Sequence, residues 1–494
     1  MANVRYLPLL LIPVLYVVLV RTPYRGMLAV DWDETIYWTI AAEIPHGKLP
    51  YRDLWDNKPP GMHFLFAPLI ALCGRDVAPL RDFTTIWLCA NAFLLYLIGR
   101  RYSEPVGFIA ALLYAVYSSD VGVTGPASQY EHFVLLPVLV ASWIVGEKGP
   151  EHLVWPMLAG GLAAYAVLVK QVAAFYLAAL AVLIVSRRRG RSEPAARFRL
   201  MLWYAVGAAL PMAVVSGYFL AAGAFDDLWG AVVGAAVRYG SRPTLAERLS
   251  SAATSLAAVF RTEWMLYVLP FACLLRTGGG ERRVLRDWSI LLASSCLAVA
   301  STGRFLPHYY LLPQPWLCLL AGSGLASLFS WAVGKTRPAI AWLVVIAIAG
   351  LGCAGALDHR KALALYRTKH QQDAGAQEAA AYLRAHSQPD DTIYVLYGQP
   401  IVYFLSERSA PTRYFWYLHL LDPFNRMLPD PPGRIVRQIE TARPRYFVVG
   451  PKTERGRIAE LDAFVAEHYR PARGLGGYVV YERGAYRSDA GDAK

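Results

Sequence analysis

What most constrains this chain is a succession of apolar runs, many of bilayer-spanning length, separated by short polar segments. Inside hydrocarbon every backbone N–H and C=O needs an internal partner, so such runs fold as α-helices. Of the 494 residues 56% are hydrophobic and only 17% are charged, where soluble domains carry about a quarter charged. Residues 1–357 therefore read as one membrane domain. After Asp358 the chain turns polar and reads as a separate soluble domain, 358–494.

The net charge of +13 is distributed in a telling way. Its clusters, Arg100-Arg101, Arg187–Arg189 with Arg191, Arg282-Arg283 with Arg286, and Lys335 with Arg337, fall between apolar runs. That is the pattern of cytoplasmic loops under the positive-inside rule. No aromatic–basic stripe accompanies it, so nucleic-acid binding is excluded as the purpose of the charge. The cysteines (Cys73, Cys89, Cys273, Cys296, Cys318 and Cys353) lie in or beside apolar runs without metal-type spacing and read as small buried hydrophobes.

The first span, Tyr6–Val20, has no small-residue cleavage site and reads as a retained anchor. The next apolar run, Met62–Cys73, raises a question of parity. If it crosses, every later basic cluster falls outside. It is also short for a span, so it is read as re-entrant on the outer side. The remaining spans are Phe83–Gly99, Val106–Ser118, His132–Val145, Leu153–Val169 and Val172–Ser186, followed by Leu200–Ala222, Glu263–Leu275, Trp288–Thr302, His308–Ala332 and Pro338–Leu357. The expected fold is thus a polytopic α-helical membrane protein of about 11 transmembrane helices, with Phe225–Thr262 as an external loop and a C-terminal soluble α/β domain outside the membrane. In that domain helices are expected at Asp373–His386, Ile401–Glu407, Arg434–Thr441 and Arg457–Tyr469, and strands at Thr392–Tyr397, Arg445–Val449 and Tyr478–Glu482. Gly474-Leu475-Gly476-Gly477 precedes a strand, opens no helix and reads as a turn rather than a phosphate loop.

The external segment 22–61 is too long and too acidic for a connector. Between Val30 and Gly61 it carries Asp31, Asp33, Glu34, Glu43, Asp53 and Asp56, interleaved with Trp32, Tyr37, Trp38, Tyr51 and Trp55. Glu34–Ile44 has helical apolar spacing and is expected to lie along the interface with its apolar face to lipid. Asp33 beside an apolar surface would have its pKa raised by desolvation, which suits a general base. Glu34 is either its electrostatic partner or an acid complementing a helix N-terminus.

Asp33-Glu34-Thr35-Ile36-Tyr37, then Lys58-Pro59-Pro60-Gly61, then Gly74 and Arg81, resembles the N-terminal part of GT-C-type glycosyltransferases. The nearest groups are protein O-mannosyltransferases, the lipid A aminoarabinose transferase and lipopolysaccharide galacturonosyltransferases. Arg304–Tyr310 with Pro313 looks like a second signature. The resemblance implies a polyprenyl-monophosphate sugar donor and a membrane glycolipid, glycan or protein acceptor, with inverting transfer to a hydroxyl on the outer face. It also implies a bacterial inner-membrane location, with the active site and C-terminal domain in the periplasm. It makes Asp33 the base, with Glu34 beside it, and puts Lys58, Arg81, Arg304 and His308 on the donor phosphate. Tyr37, Glu131, Tyr309, Tyr310 and Lys170 become substrate-binding candidates, with Asp120 competing with Glu131. No cofactor is expected. The histidines are scattered, and the mannosyltransferase-like branch needs no metal, although some GT-C enzymes use a divalent cation. The rival class is a secondary transporter or flippase. That would call for internal repeats and charges near the bilayer midplane, and neither is visible.

Overall fold

The computed structural model describes residues 8–147, 152–186, 194–240, 244–275, 279–333, 339, 343, 346–348, 350, 354, 359–422, 424–451 and 456–484. The expected span Pro338–Leu357 and the basic residues Arg187–Arg191, Lys335 and Arg337 lie largely or wholly outside these.

The membrane domain is a bundle of helices. Its first half comprises α1 (Leu11–Arg21), α2 (Trp32–Glu43), α3 (Gly61–Cys73), α4 (Val77–Gly99), α5 (Glu104–Tyr117), α6 (Tyr130–Glu147) and α7 (Val154–Val169). The second half comprises α8 (Ala174–Ser186), α9 (Pro194–Ala221), α10 (Phe225–Trp229), α11 (Ala235–Gly240), α12 (Leu245–Val268), α13 (Gly279–Ser301) and α14 (Gln314–Val333). Among the described residues six helices are long and apolar enough to cross a membrane: α4, α6, α9, α12, α13 and α14. The apolar helices at α1, α3, α5, α7 and α8 are shorter. Local chemistry sets several starts. Asp76 caps α4 by accepting from the Ala78 N–H at 2.9 Å, and Ser103 caps α5 just before Pro105. Small residues allow close approach where the bundle is tightest. A side chain on Gly160 would run into the Tyr204 carbonyl, and one on Gly207 into that of Met157, so α7 and α9 touch backbone to backbone.

Three expectations are corrected. Phe225–Thr262 is not a loop: it folds as α10, a π turn at Gly230–Gly234, α11 and most of α12. α12 opens with a capping box in which the Thr244 hydroxyl accepts from Glu247 N and the Glu247 carboxylate accepts from Thr244 N. Its interior charges, Arg248 and Arg261, disguised it as a loop. Second, α2 does not lie on lipid, since every residue from Glu34 to Glu43 is buried. The Tyr37 ring packs 5.2 Å from Phe66 of α3 and 5.2 Å from Tyr130 of α6, and the Thr39 hydroxyl reaches the Pro400 carbonyl of the C-terminal domain at 3.3 Å. Third, the helix expected to run to Tyr469 stops at His468, and Tyr469–Leu475 is a strand.

The C-terminal domain opens with the long helix His359–His386, which contains the expected Asp373–His386 segment. Its sheet runs β1 (Ile393–Leu396), β2 (Tyr446–Val449), β4 (Tyr478–Arg483), β3 (Tyr469–Leu475). β1 and β2 are parallel, and β2–β4 and β3–β4 are antiparallel. β1 is buried throughout and β2 is buried except at Val449, as parallel strands under helices tend to be. β3 lies on the edge with a register shift at Pro471–Arg473. Gly476 and Gly477, at φ +51° and +89°, turn the β3–β4 hairpin. The helix Ile401–Ser406 lies against α2, so the C-terminal domain rests on segment 22–61.

Candidate active site

The start of α2 positions the central acid. Asp31 has extended backbone (φ −133°, ψ 155°), and its carboxylate accepts from the Asp33 N–H at 3.0 Å. Three residues on, Glu34 reaches back to the N–H groups of Val30 at 2.6 Å and Asp31 at 3.3 Å. This reciprocal box fixes the first turn and sets Asp33 and Glu34 on different faces. Glu34 points inward. It accepts from the Ser128 N–H at 2.8 Å, and Arg81 of α4 grips it at 2.6 and 3.1 Å. The Arg81 Nε donates to the Met27 carbonyl at 2.8 Å, and its guanidinium faces the Trp38 ring at 5.3 Å. Both side chains are buried. Arg81 is therefore committed to Glu34 rather than to a donor phosphate, and Glu34 is the helix N-terminal acid rather than a partner of the chemistry. Together they clamp α2, α4 and the 124–129 turn.

Asp33 faces the other way and remains 21% exposed. Lys58 Nζ lies 3.4 Å from its Oδ2, 3.9 Å from Asp56 Oδ1, and 5.4 Å from the centre of the Tyr130 ring. The Tyr51 hydroxyl donates to the Lys58 carbonyl at 2.8 Å, and the Gln171 amide donates to the Asn57 carbonyl at 2.7 Å. These two bonds hold the Lys-Pro-Pro turn. Asp56 is buried among its own partners: the Tyr130 hydroxyl donates to it at 3.1 Å, His63 Nε2 lies 3.4 Å away, and the Asn57 N–H donates at 2.7 Å. Asp56, to which the sequence assigned no role, thus lies beside Lys58 in the site, together with His63 and Tyr130. The signal that could have found it was its place two residues before Lys58.

Electrostatics reverse one expectation. Burial alone would raise the Asp33 carboxyl, but Lys58, then His308 and Lys170, outweigh it and hold the pKa below the usual carboxylate range. Asp31 goes up, through burial and then the charge of Asp33. Asp56 is held far below the ordinary value, because Lys58 and His63 outweigh its burial. Asp33 is thus an ionised carboxylate in a cationic frame, where the sequence suggested a desolvated acid of raised pKa.

The second group of expected residues comes from the N-terminal ends of α6, α8 and α14 and the turns before them. Lys170 sits in extended backbone at the α7–α8 turn, buried and paired with Glu131 at the start of α6. Its Nζ also lies 4.3 Å from the centre of the Tyr309 ring. Glu131 is fully buried, so it holds Lys170 in place and is not open to sugar hydroxyls. His308 packs edge-on to Tyr309 at 4.6 Å, within electrostatic reach of Asp33 and Asp31. Three residues fall short of their expected roles. Tyr37 is fully buried with its hydroxyl on the Ser128 carbonyl at 2.7 Å. Tyr310 joins an apolar cluster with Val123, Val259, Val299 and Leu311. Arg304 acts on Glu247 of α12, and its carbonyl accepts from Ser251 at 2.7 Å. Asp120, the competitor of Glu131, caps the 121–123 turn through the Gly122 N–H at 2.9 Å.

The C-terminal domain contributes a wall. Trp55 N–H donates to the Arg413 carbonyl at 2.9 Å, and Leu28 N–H to Asp373 Oδ2 at 2.7 Å. The His419 ring meets Trp55 edge-on at 4.8 Å. Burial drives the His419 pKa down to about 3, with Asp56 and Lys58 acting in opposite senses, so it packs as a neutral ring. Trp32, beside Asp33, lies 6.0 Å from Trp416 and 6.1 Å from Tyr417. Among the described residues no group of three or more His, Cys, Asp or Glu side chains is arranged to hold a metal.

Residues 57–219 match the family model of dolichyl-phosphate-mannose-protein mannosyltransferases. The match begins one residue before Lys58 and leaves Asp33 outside. No curated protein sequence matches the chain. Among solved structures, ArnT from Cupriavidus metallidurans in the apo state superposes with a TM-score of 0.63 at 13% identity, over 97% of this chain and 98% of that one. The same protein bound to undecaprenyl phosphate gives 0.61 at 14% identity, over 98% and 99%. The oligosaccharyltransferase AglB from Archaeoglobus fulgidus, in complex with an inhibitory peptide and a dolichol-phosphate, gives 0.53 at 12% identity, over 98% of this chain and 75% of that one. The fold of this chain is the GT-C fold: a multi-pass helical membrane domain followed by a small mixed-sheet domain.

Proposed function

We propose that this protein is an integral membrane glycosyltransferase of the inverting type. It moves a sugar from a polyprenyl-monophosphate carrier to an acceptor hydroxyl at the outer face of a bacterial inner membrane, with a cell-envelope glycolipid, polysaccharide or protein as acceptor. The observation that carries this reading is the Asp33–Lys58 pair. An ionised carboxylate and an ammonium stand 3.4 Å apart, both partly open, while the charges around them are buried and paired. The GT-C fold supports it, as do the polyprenyl and dolichyl phosphates named with its structural neighbours.

The chemistry follows from the charges. Asp33 takes the proton of the acceptor hydroxyl as its oxygen attacks the anomeric carbon from the face opposite the phosphate. The bond between that carbon and the phosphate oxygen breaks, and the lipid monophosphate leaves carrying the electron pair. Lys58 stabilises the developing negative charge, with His308 adding positive potential. Asp56, His63 and Tyr130 hold Lys58 at one end of the Lys-Pro-Pro turn. Glu34 and Arg81 act on position alone, by fixing the helix that carries Asp33.

The test uses purified protein and a synthetic polyprenyl-phosphate sugar, scored against envelope acceptors. Asp33→Asn is expected to abolish transfer while retaining donor binding, because the amide cannot accept the proton. Turnover at the unmodified rate in that variant would remove Asp33 as the base.

A further inference from the structure

A cavity lined by none of the residues of the Asp33–Lys58 site takes no part in the chemistry above. It holds about 760 Å³. One wall is the helix Pro432–Ala442, which presents Arg434, Arg437, Gln438 and Thr441. That spacing (i, i+3, i+4, i+7) is one helical face. The opposite face buries Ile435, Val436 and Ile439 in the domain core. Thr412 and Arg413 form a second wall, and Arg52 of segment 22–61 completes the lining.

The charges in this cavity do not balance. Arg413 bridges Asp227 at 3.1 Å and Asp430 at 2.9 Å, and Arg52 reaches Asp227 at 3.5 Å. Asp430 is shared further, with the Tyr414 hydroxyl at 2.6 Å and Arg434 at 3.3 Å. Two carboxylates thus face four guanidinium groups, and among the described residues no carboxylate pairs with Arg437. Arg434 and Arg437 are both exposed and lie three residues apart on one helical face, where like charges repel. Uncompensated positive charge in a concave, polar site selects an anion, and the planar guanidinium fork matches carboxylate and phosphate. The rest of the lining identifies the kind of anion. Apart from Pro411 and Ala442 it is polar, with Thr412, Gln438 and Thr441 offering neutral donors and acceptors. Large apolar side chains, which a membrane surface would require, are absent from it. Neutral hydrogen-bonding groups among arginines suit a hydroxyl-rich molecule that carries acidic groups.

We propose that this cavity binds an anionic saccharide through its phosphate or carboxylate groups. Trp55 N–H donates to the Arg413 carbonyl, and Trp55 is followed by Asp56 and Lys58, so one backbone hydrogen bond ties the cavity wall to the catalytic turn. A saccharide held here is an extended acceptor whose reacting hydroxyl lies toward Asp33. Its role as acceptor rests on the proposed function, whereas its binding does not.

Direct binding separates the two. The full-length protein in neutral-lipid nanodiscs is titrated with glucose 1-phosphate, with a tri-galacturonate, and with uncharged maltotriose. The double variant Arg434→Gln/Arg437→Gln keeps the helix and removes both exposed charges. Expected is binding of the two acidic probes but not maltotriose, weakened about tenfold per arginine removed and by raised salt. In Asp33→Asn the acidic probes bind as before. Equal binding in the double variant, maltotriose binding as well as the acidic probes, or arginine-dependent binding only to nanodiscs containing phosphatidylglycerol would each overturn the proposal. Binding as expected, with turnover persisting in Asp33→Asn, would leave this site standing and remove the catalytic reading alone.

Discussion

At the scale of single residues, the site is organised by pairing, and pairing decides which charges remain available. Asp33 and Lys58 were legible in sequence as an acid and a cation at opposite ends of one segment. The commitment of Arg81 to Glu34 was not, because a cation's partner is chosen by three-dimensional neighbours that spacing does not reveal. The pKa of Asp33 was misread for the same reason, since desolvation was foreseeable and its cations were not. Its depressed pKa makes a signed prediction. A carboxyl held low in the folded protein contributes stability above its unfolded value, 3.8, and loses it as pH falls through the folded one. The acid limb of kcat/KM for the unmodified protein should therefore lie below 3.8. Lys58→Met removes the largest of the lowering influences and leaves burial, so the limb should move to higher pH and the donor KM should rise. A pH–rate profile that does not move would detach Lys58 from Asp33. The clamp predicts differently. Arg81→Met leaves the buried Glu34 carboxylate without its counter-ion, which costs about 3–5 kcal/mol and should lower the melting temperature in detergent sharply. The pair Glu34→Gln/Arg81→Met should recover part of that loss.

At the scale of elements, end signals were more informative than hydrophobic runs. The capping boxes Asp31/Glu34 and Thr244/Glu247 mark the starts of α2 and α12 in the sequence itself. The Thr244/Glu247 box falls inside the segment 225–262 that was expected to be a loop. The surroundings of α2 could not be read, because a helix apolar on several sides looks the same against lipid as against protein. α12 also holds a buried polar contact beyond the reach of sequence. It kinks at Glu263 (φ −116°, ψ 15°), where the carboxylate accepts from the Gln314 amide of α14 at 2.6 Å, and that amide also donates to the Tyr117 carbonyl at 3.1 Å. Gln314→Leu should destabilise the protein by about 1–3 kcal/mol, the cost of a buried acceptor deprived of its donor. Adding Glu263→Leu should restore most of it. Additive losses in a thermal-unfolding cycle would show the two side chains to be independent.

At the scale of the whole molecule, the question is which side each part faces, and α3 decides it. α3 is 13 residues long, the same as α8, so its contacts rather than its length bear on the question. Its ends touch the same surroundings. Gly61 at its start lies against the Leu168 carbonyl at the α7–α8 turn, beside Lys170. Arg75, just past its end, pairs with Glu43 of α2 at 2.8 Å and donates to the Phe404 carbonyl of the C-terminal domain at 3.2 Å. Both ends therefore meet elements that flank the site, which supports the reading that α3 returns to the side it left. The positive-inside pattern requires the same thing, since only a non-crossing α3 places Arg100-Arg101 opposite the site. In a background with the six cysteines replaced, a cysteine at Asp76 should react with an impermeant maleimide added to intact cells, and one at Arg100 should react only after permeabilisation. Labelling of the Arg100 position in intact cells would make α3 a true span and invert every later helix.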